Sequence, residues 1–162
     1  MHRFDGSLNR GERGEAQLDA YLMRLFDCAL EAATMPDQKR GIDRWVTYRS
    51  GERQSLQYKW DDVGGQTGNV FIELGSLGPT WAQPGWAYSC QADRIVYAVP
   101  GRGLAYVLVP AMVSASVNGW LREFQHRIRA AENSMYWTFG IAIPLECMEA
   151  VAELVLDLRR AA

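Results

Sequence analysis

Apolar residues recur at spacings of three and four early in the chain, at Leu18, Leu22, Leu25 and Ala29, with Tyr21 and Phe26 flanking the stripe. This period predicts one amphipathic helix from about Asn9 to Ala33, behind a loose arm over residues 1 to 8. Counting back three from Leu18 reaches Glu15, which is in phase with the apolar stripe, whereas Arg10, Glu12 and Arg13 point to solvent. An inward-facing carboxylate is costly unless something binds it. The pattern then changes. Met35 to Gly41 reads as a loop around Pro36. Ile42 to Arg49 and Ser55 to Trp60 read as strands joined at Gly51. Turn residues fill Asp61 to Gly68, and Asn69 to Leu74 reads as a third strand. The expectation is a three-strand antiparallel meander behind a leading helix.

Gly75 to Trp86 is irregular, with Gly78-Pro79 and Pro84-Gly85, and Ala87 to Ala92 suits a short helix. Arg94 to Val99 is a strand ended by Pro100. Gly101-Arg102-Gly103 turns the chain into an extended Leu104 to Val109; because a strand follows, this is a hairpin turn and not a phosphate cradle. After Pro110 a helix is predicted to about Ala131, with the stripe Val113, Val117, Trp120, Leu121, Phe124 and Ile128. Trp120 and Phe124 on that stripe read as core. Met135 to Ile143 is extended, and a last helix is predicted from about Leu145 to Arg160 through Met148, Val151, Val155 and Leu158. With no internal repeat and no linker, these elements predict one α/β domain over residues 1–162, a central mixed sheet flanked by helices. The last helix either packs on the sheet or forms a homodimer face; the pattern fits both.

Composition narrows the function classes. The 162 residues are 48% hydrophobic and 22% charged, ordinary for a globular chain, with a net charge of −2 and a pI of about 5.7. That balance argues against a protein that coats nucleic acid through bulk charge. It leaves room for a local patch, since Lys39, Arg40, Arg44, Arg49, Arg53 and Lys59 fall close together; a solvated surface of mixed charge is the alternative. Three separated cysteines without a CxxC pair, and only two histidines, argue against a zinc site and fit a reduced intracellular chain. No apolar run reaches the ~18–20 residues of a membrane helix, and Met1-His2-Arg3-Phe4-Asp5 opens no hydrophobic leader. The expected location is the cytoplasm, with no membrane partner.

Candidate chemistry gathers around the first two predicted strands. Alternation puts Gln57 and Lys59 on one face and Tyr58 on the other. Asp43 opens the neighbouring strand, the turn between the strands can bring it alongside, and Glu15 can reach the same corner. A hard divalent ion wants oxygen ligands. Asp43 and Glu15 offer carboxylates, Gln57 a side-chain carbonyl and Tyr58 its backbone carbonyl. Lys59 would then stand beside an activated water, to orient it, deprotonate it or neutralise the transition state. Each residue also has a plain reading. Asp43 can cap a strand, Gln57 and Lys59 can be surface strand residues, and Glu15 can pair with Arg40 or Arg44. Arg40, Arg44 and Arg53 are candidates for backbone phosphate contacts. Glu73 is either an extra ligand or a cross-strand partner. Asp61 and Asp62 read as solvated turn residues, and Asp37 of Pro36-Asp37 as turn chemistry.

Asp43…Gln57-x-Lys59, on a helix–strand–strand–strand unit, resembles the PD-(D/E)XK nuclease superfamily. Ile42 stands where that signature has proline, and Gln57 where it has an acid. Thr67-Gly68-Asn69-Val70-Phe71-Ile72-Glu73 and Gln91-Ala92-Asp93-Arg94-Ile95-Val96-Tyr97 are similar to small nuclease-like proteins of phages and mobile elements. A glutamate-bearing first helix is a feature shared with resolvases of four-way DNA junctions. The resemblance covers about residues 9 to 109, and residues 110 to 162 add a helix–strand–helix finish. It implies a restriction-endonuclease-like core and hydrolysis of DNA with Mg2+ or Mn2+, as an endonuclease or a Holliday-junction resolvase. In that role Asp43, Gln57 and Glu15 would hold metal and Lys59 would serve the nucleophile, with Ser89 and Gln91 near the phosphate or the water. Gln57 removes one negative charge, which weakens metal binding unless Glu15 compensates. A catalytically inactive nuclease-like fold that binds DNA or a protein is therefore a second expectation. A third is a coincidental polar edge, with Asp43 and Lys59 more than ~10 Å apart.

Overall fold

The leading helix, α1 (Phe4–Phe26), stops where Asp27 takes a left-handed φ of 46°. The computed structural model describes residues 4–133 and 135–161, with side chains over 12–133 and 135–160. Part of the expected N-terminal arm is thus helical, and residues 1–3 lie outside the described residues. The helix also ends earlier than its apolar period implies. Leu25 is 50% exposed, and residues 28–32 form an edge strand, β1 (Cys28–Ala32), antiparallel to β2 (Arg44–Tyr48). Pairing with a distant strand overrides a local period that only four apolar positions supported. Between these strands lies α2 (Met35–Gln38), a single turn begun by Pro36 where a loop was expected.

A turn at Gly51, φ 86°, leads into β3 (Arg53–Trp60), antiparallel to β2. The meander behind the leading helix is present, but its strands are β1, β2 and β3. The expected third strand, inside β4 (Asn69–Leu77), does not join it. The free side of β3 is taken in parallel by β6 (Arg94–Val99), from Leu56↔Arg94 to Trp60↔Ala98. β6 pairs with β7 (Leu104–Leu108), and β7 with β10 (Ala152–Asp157). The result is a six-stranded mixed sheet in the order β1-β2-β3-β6-β7-β10.

A second, antiparallel sheet has the order β5-β4-β9-β8, with β5 (Ala82–Pro84), β8 (Ile128–Glu132) and β9 (Trp137–Pro144). Two expected helices are shorter than their stripes. α5 (Pro110–Glu123) ends before Ile128, which enters β8, and α6 (Leu145–Val151) gives way to β10 on the open edge of β7. Both segments trade helical hydrogen bonds for pairing at a sheet edge. The other helices are single turns: α3 (Gly64–Thr67), before Gly68 at φ 69°, and α4 (Trp86–Ser89).

The six-stranded sheet carries apolar packing on both faces. Leu18, Tyr21 and Leu22 of α1 cover Val46, Leu56, Tyr58, Val96 and Ala98 on one side. On the other, Ile95, Tyr97 and Val99 meet α4, α5 and the second sheet through Trp86, Val117, Val70, Ile72 and Ile141. Alternation along β3 therefore sends Tyr58 toward α1, and Gln57 and Lys59 toward α4. No helix among the described residues is long and apolar enough to cross a membrane.

Candidate functional site

β2 and β3 part company at Asp43. Its N–H donates to the Leu56 carbonyl at 2.8 Å, just before the first paired residue, Arg44. Its carboxylate takes the place of the next ladder bond, Oδ2 accepting the Tyr58 N–H at 2.7 Å. Through Oδ2, Asp43 thus caps the end of the strand pair, the plain reading of its position. Oδ1 has no partner among the described residues. Extended backbone puts the Tyr58 carbonyl on the same side as its N–H, along the strand edge that β2 leaves open.

Gln57 lies on the α4 side of this split, only 7% exposed. Gly41 passes over it at φ 75°, with Gln57 Nε2 3.0 Å from where a Cβ would stand, so any side chain there would press on the amide. The Gln57 Oε1 is buried and has no hydrogen-bond partner among the described residues. Two positions on, Lys59 Nζ lies 5.8 Å from the centre of the Trp86 ring. The Cys90 thiol points at the Gly41 carbonyl, 3.8 Å away. Burial raises its pKa, against a backbone hydrogen bond at Ala92 and the charge of Lys59, while the charge of Asp43 pushes it further up.

Glu15 approaches from the α1 side. The helix comes close because Gly14 lies on the Trp60 ring; a Cβ there would be 2.4 Å from a ring carbon. Glu15 Oε2 pairs with Arg44 Nη2 at 3.0 Å. Its pKa is raised by burial, against the pull of Arg44, with Asp43 and Asp19 pushing further up. Arg44 also donates through Nε to both Asp19 oxygens at 3.0 Å and through Nη1 to the Asp43 carbonyl at 2.9 Å. The Tyr58 hydroxyl donates to Asp19 Oδ1 at 3.0 Å. Burial first, and then the Asp19 charge, push that hydroxyl's pKa far above its usual value.

The split of the sheet thus collects Asp43 and Tyr58 in its plane, Glu15 from one face, and Gln57 and Lys59 from the other. The three candidate arginines fare differently. Arg40 is at the exposed rim, bonded to Gln91 Oε1 at 3.0 Å and 3.6 Å from Asp37. Arg44 is spent on carboxylates inside the corner, not presented to solvent for phosphate. Arg53 begins β3, pairs with Glu31 and stacks on Trp45. At about 3.3 Å per residue it stands roughly 20 Å from Lys59 along the strand, so the structure does not bring it to the corner. Glu73 accepts from Ser76 in the second sheet. Asp37 accepts from Thr34 and Trp45, as turn chemistry. Asp61 is not simply solvated, because it takes the Tyr97 hydroxyl at 2.8 Å and the N–H groups of Val63 and Gly64. Ser89 is satisfied by the Gly85 carbonyl.

Sequence reasoning missed Asp19, Gly41 and Cys90. Asp19 carries a usable signal, four residues after Glu15 and hence above it on the same helix face. Gly41 and Cys90 reach the site through contacts that no local pattern encodes.

The donor set can be tested against a divalent ion. Among the described residues no three of His, Cys, Asp and Glu converge. The corner instead offers two carboxylates, Asp43 and Glu15, the Gln57 amide oxygen and the Tyr58 carbonyl. An all-oxygen set with few charges suits Mg2+ or Mn2+, ions that keep several of their waters. The orphaned Gln57 oxygen fits such a ligand, since it is buried and lacks a donor.

No protein-family model matches this chain, and no curated protein matches it. Among solved structures, the bacterial homing endonuclease I-Ssp6803I is similar over 63% of this chain and 70% of its own, at 17% sequence identity and a TM-score of 0.46.

Proposed function

We propose that this chain hydrolyses DNA phosphodiester bonds with Mg2+ or Mn2+ at the corner where β2 and β3 part, as its resemblance to the PD-(D/E)XK nucleases implies. One observation carries the reading: Gln57 Oε1 is buried without a partner among the described residues, on the residue before Tyr58, whose N–H bonds Asp43. A buried acceptor left unpaired costs about 1–3 kcal/mol, and a hard cation removes that penalty. In this role Asp43, Glu15, Gln57 and the Tyr58 carbonyl hold the ion. The bound ion would activate a water and offset charge on the scissile phosphate. The residues of the chain do the positioning. The Tyr58 N–H fixes the Asp43 carboxylate, so the ligand needs little reordering. Lys59, held over Trp86, places an ammonium where charge builds in the transition state. Arg40 at the rim is suited to a backbone phosphate.

A second reading has its own support. Gln57 replaces an acid, and no three acidic, histidine or cysteine side chains converge among the described residues. Both facts fit a nuclease-like fold that binds DNA or a protein without cutting. Labelled linear duplex, single-stranded and four-way-junction DNA, incubated with Mg2+, Mn2+ or EDTA, separates the two. Metal-dependent cutting that Lys59→Ala loses is the expected result, and the preferred substrate tells endonuclease from junction resolvase. Binding without cutting of any substrate, in either metal, would establish the second reading.

A further inference from the structure

Asp19 is not a ligand candidate, yet it organises the charged side of the corner. Its two oxygens accept three hydrogen bonds, two from Arg44 Nε and one from the Tyr58 hydroxyl. Arg44, with its side chain 15% exposed, also reaches Glu15 Oε2 at 3.0 Å and the Asp43 carbonyl at 2.9 Å. Two carboxylates, Glu15 and Asp19, therefore hold one guanidinium, which also takes the backbone carbonyl of a third acidic residue, Asp43. Three negative charges against one positive leave two uncompensated, the charge of one divalent ion. Lys59 stands apart on the other face of the sheet, over Trp86. Arg44 is thus a resident cation already touching one proposed ligand, Glu15, and the backbone of another, Asp43. What anchors it away from their free oxygens is the double contact of Nε with Asp19.

We propose that Asp19 is a positioning residue that holds Arg44 against α1, so that this built-in cation does not fill the corner and Glu15 and Asp43 stay available to a divalent ion. The inference rests on the metal-dependent reading above. Losing Asp19's charge acts twice. The corner becomes less negative, and Arg44, already paired with Glu15 Oε2, is free to move onto the remaining carboxylate oxygens of Glu15 and Asp43. The effect runs through Arg44, so removing Arg44 as well restores the balance of charge.

Titration with Mn2+ alone, by calorimetry and without DNA, tests this on wild type, Asp19→Asn, Arg44→Gln and the double variant, with Asp43→Asn as control. Asp19→Asn is expected to weaken Mn2+ binding at least about tenfold, the scale of an outer-shell loss. Arg44→Gln is expected to tighten it, because a like charge leaves the site. The double variant, again with two negative charges, is expected to return within about threefold of wild type, a coupling that independent sites would not show. A residue that merely supports the fold predicts the opposite: a double variant as weak as Asp19→Asn or weaker. That outcome, or unchanged binding in Asp19→Asn, overturns the proposal. Should Asp19→Asn fail to fold, Arg44→Gln decides alone, and equal or weaker binding overturns it. If wild type takes up no Mn2+, or Asp43→Asn binds as wild type does, the metal reading itself fails. If Asp43→Asn loses binding while Asp19→Asn does not, only the role of Asp19 fails.

Discussion

Ser55 and Gln57 stand two residues apart on the same face of β3, both buried, at 3% and 7% exposure. Ser55 is closed into a circuit: Asp93 Oδ2 accepts its N–H at 2.7 Å and its hydroxyl at 2.8 Å, and its Oγ accepts the Asp93 N–H at 3.0 Å. Gln57 keeps an oxygen with no donor among the described residues. One strand, one face and one depth thus carry a satisfied polar group and an unsatisfied one. Proteins leave few buried polar atoms unpaired. The contrast marks the Ser55–Asp93 circuit as architecture, tying β3 to the start of β6, and the Gln57 end as the place where a further partner belongs. Asp43 shows the same division within one side chain, one oxygen bonded to Tyr58 and the other without a partner among the described residues.

The comparison breaks first at Asp43. Asp43→Ala is expected to lower cleavage on the order of 10⁴-fold, the scale of losing an indispensable member of a catalytic set. Circular dichroism and a cooperative melt should show an intact fold. Cleavage that persists in a folded Asp43→Ala protein would sink the proposed centre. Lys59→Ala comes next. An ammonium aimed at the transition state is worth about 10²–10³-fold in turnover, while DNA affinity should change little. Equal losses in turnover and affinity would make Lys59 a binding residue instead.

A smaller effect sharpens the contrast between the two ends of β3. Ser55→Ala leaves the Asp93 N–H without its acceptor and takes one of two donors from Asp93 Oδ2, and should cost about 1–3 kcal/mol of stability. Gln57→Leu removes an orphaned oxygen at similar volume, and in metal-free protein it should be neutral or stabilising by about 1 kcal/mol. Urea titrations in EDTA measure both. With Mn2+ present the order changes, because Ser55→Ala should still gain stability from the ion and Gln57→Leu should gain less. A Gln57→Leu protein as destabilised in EDTA as Ser55→Ala would mean that the amide is structural after all.

The strands that shape this corner were legible because their patterns are strong. β2 carries Trp45, Val46, Thr47 and Tyr48, β6 carries Ile95, Val96, Tyr97 and Val99, β3 alternates Leu56, Tyr58 and Trp60 with polar residues, and all three lie inside the six-stranded sheet. β1, β8 and β10 are edge strands. Every residue of β8 is exposed, and β10 buries only Leu156 fully. With a partner on one side only, such strands need no clean alternation, and their scattered apolar residues passed for helical stripes. The candidate site was legible to the same extent. Gln57 and Lys59 share a face by strand period, and Glu15 follows from helix phase. Asp19 as the anchor of Arg44, Gly41 over the Gln57 amide, and Cys90 against the Gly41 carbonyl depend on chain segments that meet only after folding. The same holds for the choice of β6 rather than β4 as the neighbour of β3, since both runs are apolar enough for a central strand and only the tertiary arrangement separates them.

The smallest effect lies on the α1 side, at Glu15. Burial lifts its carboxyl above the ordinary 4.5, more than Arg44 lowers it. The folded protein therefore binds this proton more tightly than the unfolded chain does. Glu15 favours folding at pH below its unfolded value, and that contribution is lost as pH rises through the raised folded one. At neutral pH the charged carboxylate is a liability that a bound cation would relieve. Glu15→Gln mimics the protonated form. In EDTA it should melt slightly above wild type at pH 7, with the difference shrinking toward pH 4, and in Mn2+ it should gain less than wild type. The side chain is 37% exposed, so solvent screening keeps the shift modest. A metal-free Glu15→Gln protein that melts below wild type at pH 7 would show that the ion pair with Arg44 outweighs burial. Glu15 would then belong with the Ser55–Asp93 circuit, as part of the architecture.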